Sequence, residues 1–270
     1  MSPIGVFDSG IGGLTVVKAL RDLLPREDIL YIGDTARVPY GSKSPSTVQR
    51  YSFEISAMLL RENAKAIVVA CNTASALALP KLQAALPVPV IGVIEPGAAA
   101  AAVTTRNGHI GVIGTRATIK SGAYETALSR RNPDLQVVSR ACPLLVPLIE
   151  EGWLQDDVTD RAIARYLTPL RESEIDTLVL GCTHYPLLRE AFARFLGAGV
   201  TLVDSAQNCA HAMADMLARK EVAPAAGERG GLTVVLTDKP DAFLEIARDS
   251  LALDLGEVRV ASPAEASLAG

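Results

Sequence analysis

Two strings constrain this chain more than any other feature: AIVVACNTAS over 66–75 and TLVLGCTHYP over 177–186. Each is a short apolar run that ends in a cysteine and a few hydrogen-bonding residues. Aligning them sets Cys71 on Cys182 at an offset of 111 residues. A second pair, IGVFDSG over 4–10 and IGVIGTR over 110–116, lies at an offset of 106. Strand-like runs at Leu30–Gly33 and Gln136–Ser139 repeat at that same offset. Landmarks in constant order predict two similar units. The competing explanation is chance likeness among short apolar strands. The join is expected near Glu95–Pro96–Gly97. Residues 1–95 with 205–262 would form one unit and 96–204 the other. The Ala/Ser/Pro-rich end, 263–270, reads as a frayed tail.

The wider pattern is consistent with that reading. Apolar, β-branched runs occur at Ile4–Phe7, Ile29–Ile32, Ala66–Ala70, Val90–Val93, Ile110–Ile113, Leu135–Ser139, Thr177–Leu180, Val200–Val203 and Leu232–Leu236. Amphipathic stretches lie between them, at Leu14–Leu24, Ser46–Asn63, Ala74–Ala85, Gly122–Arg130, Asp157–Arg171 and Ala206–Arg219. Continuous apolar strands alternating with helices predict an α/β fold with parallel sheet. The expected architecture is two similar parallel-sheet α/β domains related by a pseudo-twofold axis, with the active site in the cleft between them.

Composition narrows the functional classes. Of the 270 residues, 49% are hydrophobic and 21% charged, which is enough to bury a sizeable core. Lys and Arg number 26 against 30 Asp and Glu, so no basic excess points to nucleic acid. The longest apolar tract, Val88–Val103, is broken by Pro89, Glu95, Pro96 and Gly97, which argues against a membrane span. No signal peptide is expected, and a cytoplasmic protein is. In that reducing compartment Cys71, Cys142, Cys182 and Cys209 are not expected to form disulfides. No C-x-x-C pair exists, and the three histidines give no metal-binding pattern.

Chemistry is expected where strands end. Each aligned cysteine closes an apolar strand and is read as opening a helix, where free N–H groups and the dipole lower a thiol pKa and favour carboxylate ligands. Asn72, Thr73, Thr183 and His184 are neighbours able to hydrogen-bond there. The alternative is a pair of buried structural cysteines. Asp8, Ser9 and Gly10 follow the first strand, and Asp8 is read either as functional or as a cap for the helix after Gly13. Neither a dinucleotide-binding glycine pattern nor a phosphate loop is present, since Thr15 stands where the third glycine would be. The turn-rich loop DTARVPYGS, 34–42, contributes Tyr40, Gly41 and Ser42, either to the site or to an ordinary surface turn. Thr115 and Thr118 are anion donors or helix caps; Glu150 is an exposed helix-end acid or a partner for a catalytic group. Cys142 and Cys209 are read as structural, and His109 and His211 as surface or capping residues.

Two thiols facing each other across a cleft suit proton removal from one face of a carbon and redelivery to the other. The α-proton of an amino acid is weakly acidic, so such a site must stabilise carbanion-like charge with oriented donors. This logic requires no cofactor.

The strings GVFDSGIGGLTV (5–16), GDTARVPYGSKS (33–44), VVACNTAS (68–75), GTRATIKSGAYE (114–125) and LVLGCTHYPLL (178–188) resemble those of bacterial glutamate racemases. The cysteine motifs alone indicate the broader aspartate/glutamate racemase superfamily. The resemblance implies interconversion of L- and D-glutamate without pyridoxal phosphate, supplying D-glutamate for peptidoglycan. It implies Cys71 as the thiol for the D enantiomer and Cys182 for the L, assisted by Asp8, Glu150 and His184. It also implies substrate contacts at Asp8, Ser9, Tyr40, Gly41, Asn72, Thr73, Thr183 and His184, with Ser42, Thr115 and Thr118 as further positions. Some members carry an N-terminal extension linked to activation by a cell-wall precursor. This chain enters its first strand at once, and that control is not expected. Family members are often dimers, so a homodimer is expected.

Three alternatives remain at this level: a racemase for aspartate or another acidic amino acid, a hydrolase using Cys182 and His184, and a gyrase-binding role, which only the resemblance to glutamate racemases implies. The second leaves Cys71 unexplained. The third would act through protein contact, given the acidic balance of charge.

Overall fold

The computed structural model describes residues 2–219, 229–238, 251–255 and 257–263. The expected tail therefore lies outside the described residues apart from position 263. Two parallel sheets carry the fold. The first holds β1 (Ile4–Asp8), β2 (Ile29–Gly33), β3 (Ala66–Val69), β4 (Val90–Gly92), β9 (Leu232–Leu236) and β10 (Glu257–Val260), in the order β10-β9-β2-β1-β3-β4. The second holds β5 (His109–Gly114), β6 (Gln136–Ala141), β7 (Thr177–Gly181) and β8 (Thr201–Val203), in the order β6-β5-β7-β8. The order β2-β1-β3-β4 is repeated as β6-β5-β7-β8, so the repeat seen in sequence is a repeat of topology.

Burial explains why the central strands read as unbroken apolar runs. β1, β2, β3 and β7 are buried along their whole length. On one face of the first sheet, α1 (Leu14–Leu23) and α11 (Ala206–Arg219) pack through Leu14, Val17, Leu20 and Met213. On the other face lie α2 (Pro45–Arg61), α3 (Asn72–Leu77) and α4 (Leu79–Ala85), through Val48, Ile55 and Leu82. The second sheet is covered by α5 (Ile94–Thr104) and α7 (Ala123–Arg131) on one side. Its other side meets α8 (Leu145–Glu150), α9 (Asp157–Glu172) and α10 (Arg189–Leu196). The short α6 (Arg116–Lys120) follows β5.

Several local expectations needed revision. The stretch Ala74–Ala85 is two helices rather than one, divided at Ala78. Pro80 enters the first turn of α4, where its missing N–H is harmless, but it cannot continue a helix from upstream. Glu95–Pro96–Gly97, where the join between the units is expected, lies in the opening turn of α5, a helix that was not anticipated. Proline is tolerated in a first turn, and a Cβ on Gly97 would sit 2.5 Å from Ser205 Oγ. β10 was not anticipated because Glu257–Val260 is short and mostly exposed.

Candidate active site

In each sheet the chain leaves its first strand toward one edge and later returns to the other side of that strand. The carboxyl ends of β1 and β3, and of β5 and β7, therefore flank a switch point, where α/β sheets bind ligands. Asp8 and Ser9 follow β1, Cys71 to Thr73 follow β3, Thr115 follows β5, and Cys182 to His184 follow β7. These four strand ends converge on one small cavity. Ser9, Tyr40, Gly41, Cys71, Asn72 and Thr73 line it from the first sheet; Thr115, Cys182, Thr183 and His184 line it from the second.

Cys71 caps α3, and its carbonyl accepts the backbone N–H of Ser75. Its Sγ lies 3.8 Å from Ser9 Oγ. Burial and the Asp8 carboxylate push the Cys71 thiol well above its ordinary value, against smaller opposing effects from Ala74 N–H and Ser9. The expected lowering by the helix end is thus overturned: the thiol is almost wholly buried, and one short helix does not offset that desolvation.

The second cysteine sits differently. Cys182 does not open an α-helix, because a 3₁₀ turn, Tyr185–Leu188, intervenes before α10. Pro186 has no N–H and disfavours α geometry at the residue before it. Cys182 Sγ instead faces His184 Nδ1 at 3.8 Å. On the far side of the ring, Nε2 lies 3.3 Å from Glu150 Oε1 at the end of α8. Burial lowers the His184 pKa, but its contacts with Cys182 and Glu150 outweigh that, so the net shift is upward. Each thiol thus has its own polar escort, a carboxylate for Cys71 and an imidazole for Cys182.

Asp8 is fully buried. Its Oδ2 accepts Gly13 N–H at 2.7 Å and Thr183 Oγ1 at 3.1 Å, while Oδ1 has no hydrogen-bond partner. Asp8 therefore supports the turn before α1 and also faces the second sheet. Thr115 accepts the Thr118 N–H and so caps α6, yet both hydroxyls also meet Thr73 across the cleft, at 2.9 and 3.1 Å. Capping and site-building are one arrangement for these residues. Tyr40 is held by a hydrogen bond from its hydroxyl to Asp34, which is itself fully buried and paired with Arg37. Ser42 stands apart: it is exposed, and its hydroxyl turns 3.3 Å away to Pro39 O.

Cys142 and Cys209 are buried and free, and burial pushes both thiols up to about 12. His109 meets Ser173 O at 3.3 Å, and His211 is exposed. Sequence reasoning missed Pro39 and Val146, which complete the cavity wall. It also missed Tyr124, whose hydroxyl reaches Asn72. Tyr124 lies in the string GTRATIKSGAYE, the only trace of it in the sequence.

Comparison with known proteins adds to this geometry. The family model for Asp/Glu/hydantoin racemases matches residues 12–213. The glutamate racemase of Geobacter metallireducens is 52% identical over 255 residues, 94% of each chain. Glutamate racemase isoform RacE1 from Bacillus anthracis has the same fold, with a TM-score of 0.90 at 42% identity over 97% of each chain. The glutamate racemase from Francisella tularensis, solved in complex with D-glutamate, matches with a TM-score of 0.90 at 36% identity over 98% of each chain. The chain belongs to the Asp/Glu/hydantoin racemase family and is an enzyme of the racemase class. These three relatives, each matched over nearly its whole length, are glutamate racemases.

Proposed function

We propose that this racemase interconverts L- and D-glutamate, using Cys71 and Cys182 as the two proton-transfer groups. The observation that carries the reading is that both thiols line one cavity from the carboxyl ends of equivalent strands in separate sheets. In the L-to-D direction, Cys182 as thiolate removes the α-proton and becomes a thiol. The electron pair passes into the carboxylate, where N–H and hydroxyl donors stabilise it. The Cys71 thiol then gives its proton to the opposite face of Cα and becomes a thiolate. The D-to-L direction reverses these roles.

The escorts fit this division. Asp8 keeps Cys71 protonated, ready to donate, and its free Oδ1 is an acceptor when the proton must move on. His184, held toward its charged form, faces Cys182, and Glu150 balances the imidazolium. Ser9, Asn72, Thr73, Thr115, Thr118 and Thr183, with the Tyr40–Gly41 loop, supply donors for two carboxylates. The cavity as it stands measures about 10 Å³, room for a single water. Admitting an amino acid requires its walls to part, and those walls belong to different sheets.

The rest of the reading follows from this activity. Residues 1–95 with 205–262 act as one domain and 96–204 as the other, so that parting the walls is a domain movement. No helix among the described residues is long and apolar enough to cross a membrane. The enzyme works in the cytoplasm as a homodimer, supplying D-glutamate for peptidoglycan. Incubating the cofactor-free protein with L-glutamate in D₂O tests the reaction. Loss of optical activity with deuterium at the α-position is the expected result. Silence on glutamate with turnover of aspartate would reassign the substrate, and silence on both would overturn the function.

A further inference from the structure

A buried hydrogen-bonded chain crosses between the sheets behind the cavity. Tyr124, on α7, is fully buried, and its hydroxyl lies 2.6 Å from Asn72 Oδ1 and 3.2 Å from Ser205 Oγ. Asn72 is the first residue of α3, adjacent to Cys71, and lines the cavity. Ser205 directly precedes α11. A phenol has one proton, and an amide oxygen can only accept. With Tyr124 donating to Asn72 Oδ1, Ser205 must donate to the Tyr124 oxygen. The chain then runs one way, from Ser205 through Tyr124 to Asn72.

Its consequence falls on the other end of the Asn72 amide. The acceptor is occupied by Tyr124, and Nδ2 has no hydrogen-bond partner among the described residues. An asparagine amide reverses its chemistry when flipped, so something must hold it if it is to act as a donor. We infer that Tyr124 is a positioning residue that locks Asn72 with its NH₂ group presented to a substrate carboxylate. The inference rests on the glutamate racemase reading above. Burial raises the Tyr124 pKa, which keeps the phenol protonated and donating at neutral pH. Packing around the chain is tight: a Cβ on Gly97 would approach Ser205 Oγ to 2.5 Å and the Tyr124 hydroxyl oxygen, Oη, to 3.4 Å.

The test is Y124F, which keeps the ring and removes the donor. KM for both enantiomers is expected to rise about tenfold, the scale of one lost hydrogen bond, with a smaller change in kcat. In an N72A background the same change should leave KM where N72A alone set it, because the group being positioned is gone. A merely structural role would lower the melting temperature and act equally in both backgrounds. Unchanged KM in Y124F, or an equal KM rise with and without Asn72, overturns the inference. If Y124F does not fold, S205A decides: KM rises about threefold if the chain orients the amide, and no rise overturns it. Wild-type protein that neither racemises glutamate nor exchanges its α-proton brings down the functional reading and this inference with it. An active wild type with an unaltered variant brings down the inference alone.

Discussion

Thr183, on the loop after β7, donates its hydroxyl across the cleft to Asp8 Oδ2, at the end of β1. A fully buried carboxylate in the first sheet is thus tied to the residue next to the cysteine of the second. Replacing Asp8 with Asn removes the charge beside Cys71 and the free acceptor Oδ1. We expect kcat to fall by about 100-fold in both directions, the scale of a lost acid–base partner. Steady-state kinetics with a melting curve checks this, and a D8N enzyme with wild-type kcat would remove Asp8 from the proton path.

Each thiol is tested by the smallest change, Cys to Ser. Serine is a far weaker acid, so C71S and C182S should each lose almost all racemisation. Exchange measured in D₂O separates the two. C71S keeps the group that takes the proton from L-glutamate, so residual exchange should favour the L enantiomer; C182S should favour the D. Full retained activity in either variant contradicts the two-thiol reading.

Glu150 predicts a pH effect. His184 has a raised folded-state pKa, so its charged form persists below that value and is lost as pH rises through it. Its charge supports Cys182. Removing the carboxylate in E150Q lowers the His184 pKa, so the alkaline limb of kcat/KM should move to lower pH while the acid limb stays. A pH–rate profile on L-glutamate reads this directly. An unmoved alkaline limb would show that Glu150 does not act through His184.

Gly41 predicts a steric effect. A Cβ there would lie 2.4 Å from Thr115 Cβ in the opposite wall of the cavity. Side-chain rotation does not move Thr115 Cβ, so the walls themselves must separate. G41A should raise KM by at least tenfold and cost about 1–3 kcal/mol in stability, as overpacking does. Urea unfolding and KM measured together check it, and wild-type values for both would contradict the close approach.

Asp176 predicts acid sensitivity away from the site. It accepts hydrogen bonds from Thr105 Oγ1, from the backbone N–H groups of Arg106 and Asn107, and from Thr177 Oγ1. Burial raises its pKa, but these donors outweigh it and lower the pKa to about 2. A depressed carboxylate pKa gives stability that is present above the unfolded value near 4 and lost as pH falls toward 2. D176N should lose it at neutral pH and show a flatter decline in stability between pH 4 and pH 2, read by denaturant unfolding across that range.

The strands of both sheets, β10 apart, were legible because buried parallel strands must be continuously apolar, as Ala66–Val69 and Thr177–Gly181 are, whereas their order came only with the tertiary structure. The repeat around Cys71 and Cys182 was legible for the same reason, and it located two strand ends and their polar followers. What lay between was less so. The helix α5 hid behind Pro96 and Gly97, since tolerance of proline depends on its place in the first turn and need for glycine on Ser205 beside it.

Amino-acid sequence by itself determined the two-unit plan, the pairing of Cys71 with Cys182, and the residue types gathered near them. Each follows from local physics: apolar period, turn chemistry and strand-end position. Tertiary structure alone decided which of those residues share a cavity, that Ser42 turns away from it, and that Tyr124 and Ser205 stand behind Asn72. It also reversed the expected effect on the Cys71 thiol, because desolvation and the nearness of Asp8 arise only when distant segments pack together. A helix end lies next to its cysteine in sequence, whereas the burial that outweighs it comes from segments far along the chain.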